Sequence, residues 1–253
     1  MKILYWSPFL TKIATVSSVL RSIRSMKKYY KDELEIFLID SVGEWNEVKE
    51  KTEGIKILRL YDKPFFSMLP RKGFFKSRFS QLIIFMFSFF KLLRLLKNQN
   101  PDFLIAHLIV SLPLMLMIFL NQKTKLIIRI SGLPKLNFFR KIYWRFFSKR
   151  VFKVTCPTVA TYEKIKALKI FDQDKLEILY DPAISVKDIQ NKKNEKIENI
   201  FENKKYIISI GRLTRQKNFK LLIRAFKEIK IKYPDYILLI LGEGEEKKEL
   251  DLL

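Results

Sequence analysis

The sequence predicts an α/β chain built on doubly wound parallel sheets, one complete and a second one incomplete, and three features of its 253 residues carry that expectation. Short apolar runs alternate with longer stretches whose apolar residues recur at helical spacing. The short runs are apolar at nearly every position instead of at every second one, as in strands covered on both faces. A polar, charged stretch over 185–204 then interrupts the series, and a new β-α-β series follows it. The expected organisation is therefore a sheet domain over 1–184, a linker over 185–204 and the start of a second sheet domain over 205–253.

The strand-like runs of the first domain are taken in order. Lys-Ile-Leu-Tyr-Trp occupies 2–6, Glu-Ile-Phe-Leu-Ile 35–39 and Ile-Lys-Ile-Leu-Arg-Leu 55–60. They continue with Asp-Phe-Leu-Ile-Ala-His at 102–107, Lys-Leu-Ile-Ile-Arg-Ile at 125–130, Val-Phe-Lys-Val-Thr at 151–155 and Leu-Glu-Ile-Leu-Tyr at 176–180. Helical patterns lie between them over 15–30, 74–97, 111–120, 137–148 and 158–169. The 18 uncharged residues 103–120 approach the length of a membrane span, but His107 and Pro113 interrupt them, so a strand followed by a buried helix is expected. The second series reads as a strand over 206–210, a helix from Asn218 to about Tyr233 and a strand over 236–241, with residue 253 inside what reads as the next helix. Two strands do not bury a sheet of this kind by themselves, which is why the second domain is expected to be incomplete.

The chain carries 49 Lys and Arg against 26 Asp and Glu, a formal charge of +23, with 48% hydrophobic residues. So many apolar residues exclude a disordered polycation and require a packed core. The charge is concentrated. Residues 63–162 hold 18 basic side chains and one acid, Asp102. The same block is rich in aromatics: Arg71, Lys72, Lys76 and Arg78 precede an apolar run over 81–90, and Lys91, Arg94 and Lys97 follow it. A second mixture, with Arg140, Lys141 and Arg145 among phenylalanines, spans 138–150. Both stretches read as basic, apolar helices able to lie on an anionic membrane, where each cation contributes about 1 kcal/mol. An ordinary amphipathic helix with its apolar side in the core fits them equally. A nucleic-acid surface is the third reading, and no helix-turn-helix, zinc-finger or RNA-binding signature supports it. The single cysteine, Cys156, excludes an intrachain disulfide and reads as a small buried residue; a reducing compartment fits it. No Cys/His cluster suggests a metal site, and residues 1–12 show no secretory signal pattern.

The strongest local signal is the turn Gly211-Arg-Leu-Thr-Arg-Gln-Lys-Asn218, which joins the carboxyl end of a strand to a helix. Ligands of open α/β sheets bind at such ends, where helix N–H groups face anions. Arg212 offers a fork to phosphate oxygens and Lys217 a point charge, a pair suited to a diphosphate. The next strand ends in Gly242-Glu-Gly244, a second turn that a ligand can approach. His107, the only histidine, sits at a strand end, where it can bind an acceptor, move a proton or simply cap the strand.

The segment 209–226, followed by 234–244, closely resembles the start of the C-terminal domain of family 4 glycosyltransferases. The resemblance implies a GT-B fold of two Rossmann-like domains and retaining transfer from a nucleotide-diphosphate sugar. It also implies that the GR-x-x-x-x-K-N segment, here with Gly211, Arg212, Lys217 and Asn218, holds the donor diphosphate through its Arg212 and Lys217, with Gly242 and Gly244 on the donor side. Chemistry is then expected in a cleft between the domains, without a metal or other cofactor. Three departures stand out. The family's E-x7-E pair falls beyond residue 253, the first βα turn (7–15) has no glycine, and Ser131 stands where many members have a histidine. Serine without an activating partner is a poor base, so Ser131 is expected to bind substrate at most.

The expected function is transfer of a sugar from a nucleotide-sugar donor to a lipid-linked or polysaccharide acceptor at the inner, cytoplasmic face of the membrane, by a peripherally bound enzyme. The alternatives are a non-catalytic, membrane-docking relative and a nucleic-acid binder.

Overall fold

A computed structural model describes residues 1–11, 14–30, 33–71, 74–120, 123–134, 136–182, 184–195 and 205–253. The chain forms two compact units, Met1–Ser185 and Val186–Leu253.

In the first unit the elements are β1 (Lys2–Trp6), α1 (Ala14–Tyr30), β2 (Glu35–Asp40), β3 (Lys56–Arg59), α2 (Phe74–Gln99) and β4 (Phe103–Ala106). They continue with α3 (Ser111–Leu116), β5 (Lys125–Arg129), α4 (Phe138–Phe147), β6 (Val151–Cys156), α5 (Val159–Ala167) and β7 (Leu176–Ile178). The seven strands pair in parallel, in the order β3-β2-β1-β4-β5-β6-β7. The order reverses between β1 and β4, and this switch point opens a crevice beyond the carboxyl ends of both strands.

Successive strand residues feed opposite cores, which is why the runs are apolar throughout. Leu4, Trp6, Leu104, Ala106, Leu126 and Ile128 pack with Leu92 and Leu96 of α2, Trp144 of α4 and Ile165 of α5. Ile3, Tyr5, Ile36 and Leu38 face the other way, onto Val16, Val19, Leu20 and Ile23 of α1 and onto Trp45. Helix starts follow local chemistry: the Asn137 side chain accepts the Arg140 N–H at 2.9 Å ahead of α4, and Thr158 accepts the Thr161 N–H at 3.1 Å ahead of α5.

The uncharged stretch 103–120 is split between β4 and the six-residue α3, whose Leu112, Pro113, Leu114 and Leu116 are buried, so it forms no spanning helix. Length and composition instead make Phe75–Gln99, within α2, long and apolar enough to cross a membrane. This helix is oriented against the usual pattern. Ser80 and Ser88 point inward beside Ile84, Leu92 and Leu96. Phe75, Phe79, Leu82, Met86 and Phe90, spaced at helical intervals, point outward, with Phe75 86% and Phe90 77% exposed. In α4, Phe138, Ile142 and Phe146 form a similar outward row while Trp144 faces the core.

The second unit contains α6 (Val186–Lys192), β8 (Lys205–Ile210), α7 (Phe219–Lys232), β9 (Tyr236–Leu241) and α8 (Lys247–Leu250). The short α6 lies inside the segment whose polarity reads as a linker; its Val186 and Ile189 are exposed. The remainder of that segment, 196–204, lies outside the described residues. Strands β8 and β9 pair in parallel over six residues, and Leu213, Phe219 and Leu250 form a small core with Leu222, Ile223 and Ile240.

Candidate functional site

The turn after β8 is held by its own hydrophobic anchor. Leu213 is buried against Phe219, which leaves its neighbours Arg212, Lys217 and Asn218 exposed. The segment Arg215–Lys217 forms a 3-10 turn, and Asn218 takes a left-handed conformation (φ 51°, ψ 47°) before α7 begins. Lys217 thus lies just before the helix and not in its first turn, and its Cδ lies 3.9 Å from where a side chain on Gly211 would begin. The Asn218 side chain makes no capping hydrogen bond. Neither Arg212 nor Lys217 has an ion-pair partner among the described residues. Two cations and an uncapped helix start on one loop are suited to an anion.

The two glycines after β9 have a packing reason as well. The Gly211 and Leu213 N–H groups donate to Leu241 and Glu243 at 3.0 and 2.9 Å, and the Glu246 N–H donates to Leu213 at 3.0 Å. The two turns therefore lie backbone against backbone. A Cβ on Gly242 would fall 2.9 Å from the carbonyl carbon of Gly211, and one on Gly244 within 2.6–2.8 Å of Leu213 backbone atoms.

In the first unit a cavity of about 880 Å³ occupies the switch-point crevice. His107 after β4, Arg129 at the end of β5 and Ser131 just beyond it line the cavity, as do Thr11 and Thr15 from the first βα turn. The two sequence candidates His107 and Ser131 therefore share one space. His107 is 8% exposed and its Nδ1 has no partner among the described residues; burial, with the nearby Arg129 charge, pushes its pKa down to about 3, so the ring is neutral. Phe9, stacked edge-on against Trp45 at 5.0 Å, fills the glycine-free first turn. Arg129 is 4% exposed and donates from Nη2 to Asp181 at 2.8 Å, while its Nη1 has no partner among the described residues. Sequence reasoning did not single out Arg129. The signal available was an arginine ending an otherwise apolar strand.

The cations expected on a membrane surface divide into two groups. Arg71, Arg78 and Arg140 line the cavity, and Arg71 is also paired with Glu47 at 2.6 Å and stacked 4.8 Å from the Phe66 ring centre. Burial, with the neighbouring charge of Arg78, lowers the pKa of Arg140, so these two guanidinium groups lie close enough to repel. Lys76, Lys91, Arg94, Lys141 and Arg145 are exposed on α2 and α4. Lys72 lies outside the described residues. Among the described residues no group of three or more His, Cys, Asp or Glu side chains is placed to hold a metal ion.

Comparison with known proteins fits this geometry. Residues 190–253 match the family model of glycosyl transferases group 1. An uncharacterized glycosyltransferase of Methanocaldococcus jannaschii is 29% identical over 182 residues, 65% of this chain and 45% of the relative. An N-acetylgalactosamine-N,N'-diacetylbacillosaminyl-diphospho-undecaprenol 4-alpha-N-acetylgalactosaminyltransferase of Campylobacter jejuni is 43% identical over 76 residues, 30% of this chain and 19% of the relative. The matches thus span less than half the length of these curated relatives. The S. aureus TarM structure superposes with a TM-score of 0.61 at 11% identity, covering 100% of this chain and 74% of that one. Solved UDP-GlcNAc 2-epimerases share the fold. The fold is of GT-B type, and the family match lies within its second unit.

Proposed function

We propose that this chain acts in a retaining glycosyltransferase that moves a sugar from a nucleotide-diphosphate sugar to a membrane-linked glycan acceptor. The turn Gly211–Asn218 carries the reading: it presents Arg212 and Lys217 beside an uncapped helix start, within the segment that matches the family model. Their role is to hold the donor diphosphate and to stabilise the negative charge it gains as it leaves, which needs no metal. The name of the Campylobacter relative supports a lipid-linked acceptor.

Titration with UDP and with ADP tests the donor site. Arg212→Ala and Lys217→Ala are each expected to weaken the nucleotide that binds by about 10- to 100-fold, the range for a lost charge-assisted hydrogen bond. Unchanged affinity in both variants rejects the assignment.

The same reading places the protein peripherally on the inner face of the membrane, with the outward rows of α2 and α4 in the interface and Lys76, Lys91, Arg94, Lys141 and Arg145 against anionic headgroups. One flank of α2 is committed to the sheet core through Leu92 and Leu96, which favours docking over spanning. The chain is expected to co-sediment with phosphatidylglycerol vesicles far better than with phosphatidylcholine vesicles. The Phe79→Ser/Phe90→Ser double variant is expected to lose about tenfold or more of that binding. Equal binding to both vesicle types, or retention on duplex DNA without vesicle binding, removes the docking proposal.

A further inference from the structure

Among the described residues, the switch-point cavity is lined by four arginines, Arg71, Arg78, Arg129 and Arg140, and by no Asp or Glu. The deepest of the four is also the least satisfied. Arg129 is almost fully buried, yet among the described residues Nη1 makes no hydrogen bond, while Nη2 is engaged by Asp181. A buried guanidinium N–H without an acceptor is costly, and a ligand oxygen removes that cost. Arg78 and Arg140 enter from α2 and α4, close enough that the Arg78 charge disfavours that of Arg140. A multiply charged anion among them turns this repulsion into attraction. His107 adds a second buried nitrogen without a partner at the same wall, and as a neutral ring it donates or accepts without adding charge.

The remaining lining mixes polar residues, such as Thr11, Gln81 and Ser131, with apolar ones, and one apolar part of it continues out of the cavity. Leu82 lines the cavity and also belongs to the outward row of α2, between Phe79 and Met86. A ligand whose charged end lies among the arginines can therefore leave along an apolar track that is itself exposed.

We infer that this cavity binds the diphosphate end of a lipid-linked acceptor, with Arg129 holding a phosphate oxygen from within, Arg78 and Arg140 holding the group from α2 and α4, and the lipid chain leaving over Leu82. This inference rests on the proposed transfer to a membrane-linked acceptor and names the part of the acceptor that is recognised. The ligand chemistry is a diphosphate; its source is a lipid and not the free anion, because the exit is apolar.

Farnesyl diphosphate, farnesol, inorganic diphosphate and UDP are the probes, each titrated against the chain. Farnesyl diphosphate is expected to bind at least tenfold more tightly than farnesol and than inorganic diphosphate, and inorganic diphosphate is expected to compete with it. Arg129→Gln is expected to weaken farnesyl diphosphate at least tenfold. Because Arg129 is buried, the Arg78→Gln/Arg140→Gln double variant, at less buried positions, is measured beside it with the same expectation. Affinity within twofold of the unaltered chain in the double variant overturns the inference, as does equal binding of farnesol. Equal binding of inorganic and farnesyl diphosphate makes the ligand a free anion and overturns the lipid source. Arg212→Ala separates this site from the donor site: it is expected to leave farnesyl diphosphate binding unchanged while weakening UDP. If UDP binding fails its own test while farnesyl diphosphate behaves as expected, the donor reading falls and the cavity assignment stands; the reverse result removes the cavity assignment alone.

Discussion

Alanine at position 244 is expected to break the contact between the turns that follow β8 and β9 in the second unit, and to speed amide exchange at Leu213 and Glu246 by about 10- to 100-fold. The Cβ it adds would overlap the Leu213 carbonyl oxygen and lie 2.6 and 2.8 Å from the Leu213 carbonyl carbon and nitrogen. These are backbone atoms on a residue whose side chain is locked in the small core with Phe219 and Leu250, so neither partner can turn aside. The amides of Leu213 and Glu246 donate across this contact, and they report on it directly. Overpacking of this kind costs on the order of 1–3 kcal/mol, and each 1.4 kcal/mol is a factor of ten in the opening equilibrium. Gly132→Ala is the control, since a Cβ there meets nothing within 4 Å. Protection at Leu213 and Glu246 that survives Gly244→Ala would show that the turns do not depend on one another. The consequence for function is indirect: Gly211, Arg212 and Lys217 belong to the turn that Gly244 supports.

That double role of the glycines shows where sequence reading stops. Gly242-Glu-Gly244 reads as a place for a ligand to approach, and the approaching group proves to include the chain's own backbone at Gly211–Leu213. The strands themselves are legible because burial on both faces leaves no charged position in runs such as 3–6 or 126–128, and a run of that kind has few other uses. The direction of an amphipathic helix is a different matter. Phe75, Phe79, Leu82, Met86 and Phe90 recur at spacing equally fit for a core, and only the packing of Ser80, Ile84 and Ser88 inward shows that the phenylalanines face out. Arg129 is hidden for a related reason: its importance comes from Asp181, 52 residues away, and from a cavity assembled by five separated segments. The turn at Arg212 and Lys217 is legible because all its parts are contiguous, but the left-handed Asn218, which places Lys217 ahead of the helix, is visible only in the backbone.

Stability of the first unit is expected to fall as the pH rises from 6.5 to 8, and Glu44→Gln to flatten that fall. Glu44 follows β2 and is fully buried, as is nearly all of Asp40. Its carboxyl accepts the Ser41 N–H at 3.1 Å, the Ser41 hydroxyl at 2.9 Å and the Val42 N–H at 2.9 Å. Burial first, and then the adjacent Asp40 charge and a hydrogen bond with it, raise the Glu44 pKa to about 8 against these lowering N–H contacts. The folded unit then keeps a proton that the unfolded chain releases around 4.5, so it binds more protons throughout that interval and loses stability as the pH climbs. The contribution is complete below 4.5 and gone above 8, with a slope of at most about 1.4 kcal/mol per pH unit between. His107 runs the opposite way: its folded pKa of about 3 lies below the ordinary 6.5, so it adds stability as the pH rises between those values and only about 0.4 kcal/mol more above them, as the unfolded ring loses its remaining proton. Glu44 therefore dominates the interval from 6.5 to 8. Glutamine does not titrate; its one oxygen keeps the two Ser41 bonds that Oε1 accepts, while its amide nitrogen, in place of Oε2, offers an N–H to Asp40 and gives up the Val42 contact. All three tryptophans, Trp6, Trp45 and Trp144, lie in the first unit, so urea unfolding followed by their fluorescence at pH 6.5 and 8 measures this unit. A variant that retains the slope of the unaltered chain across that interval would assign the proton to another group.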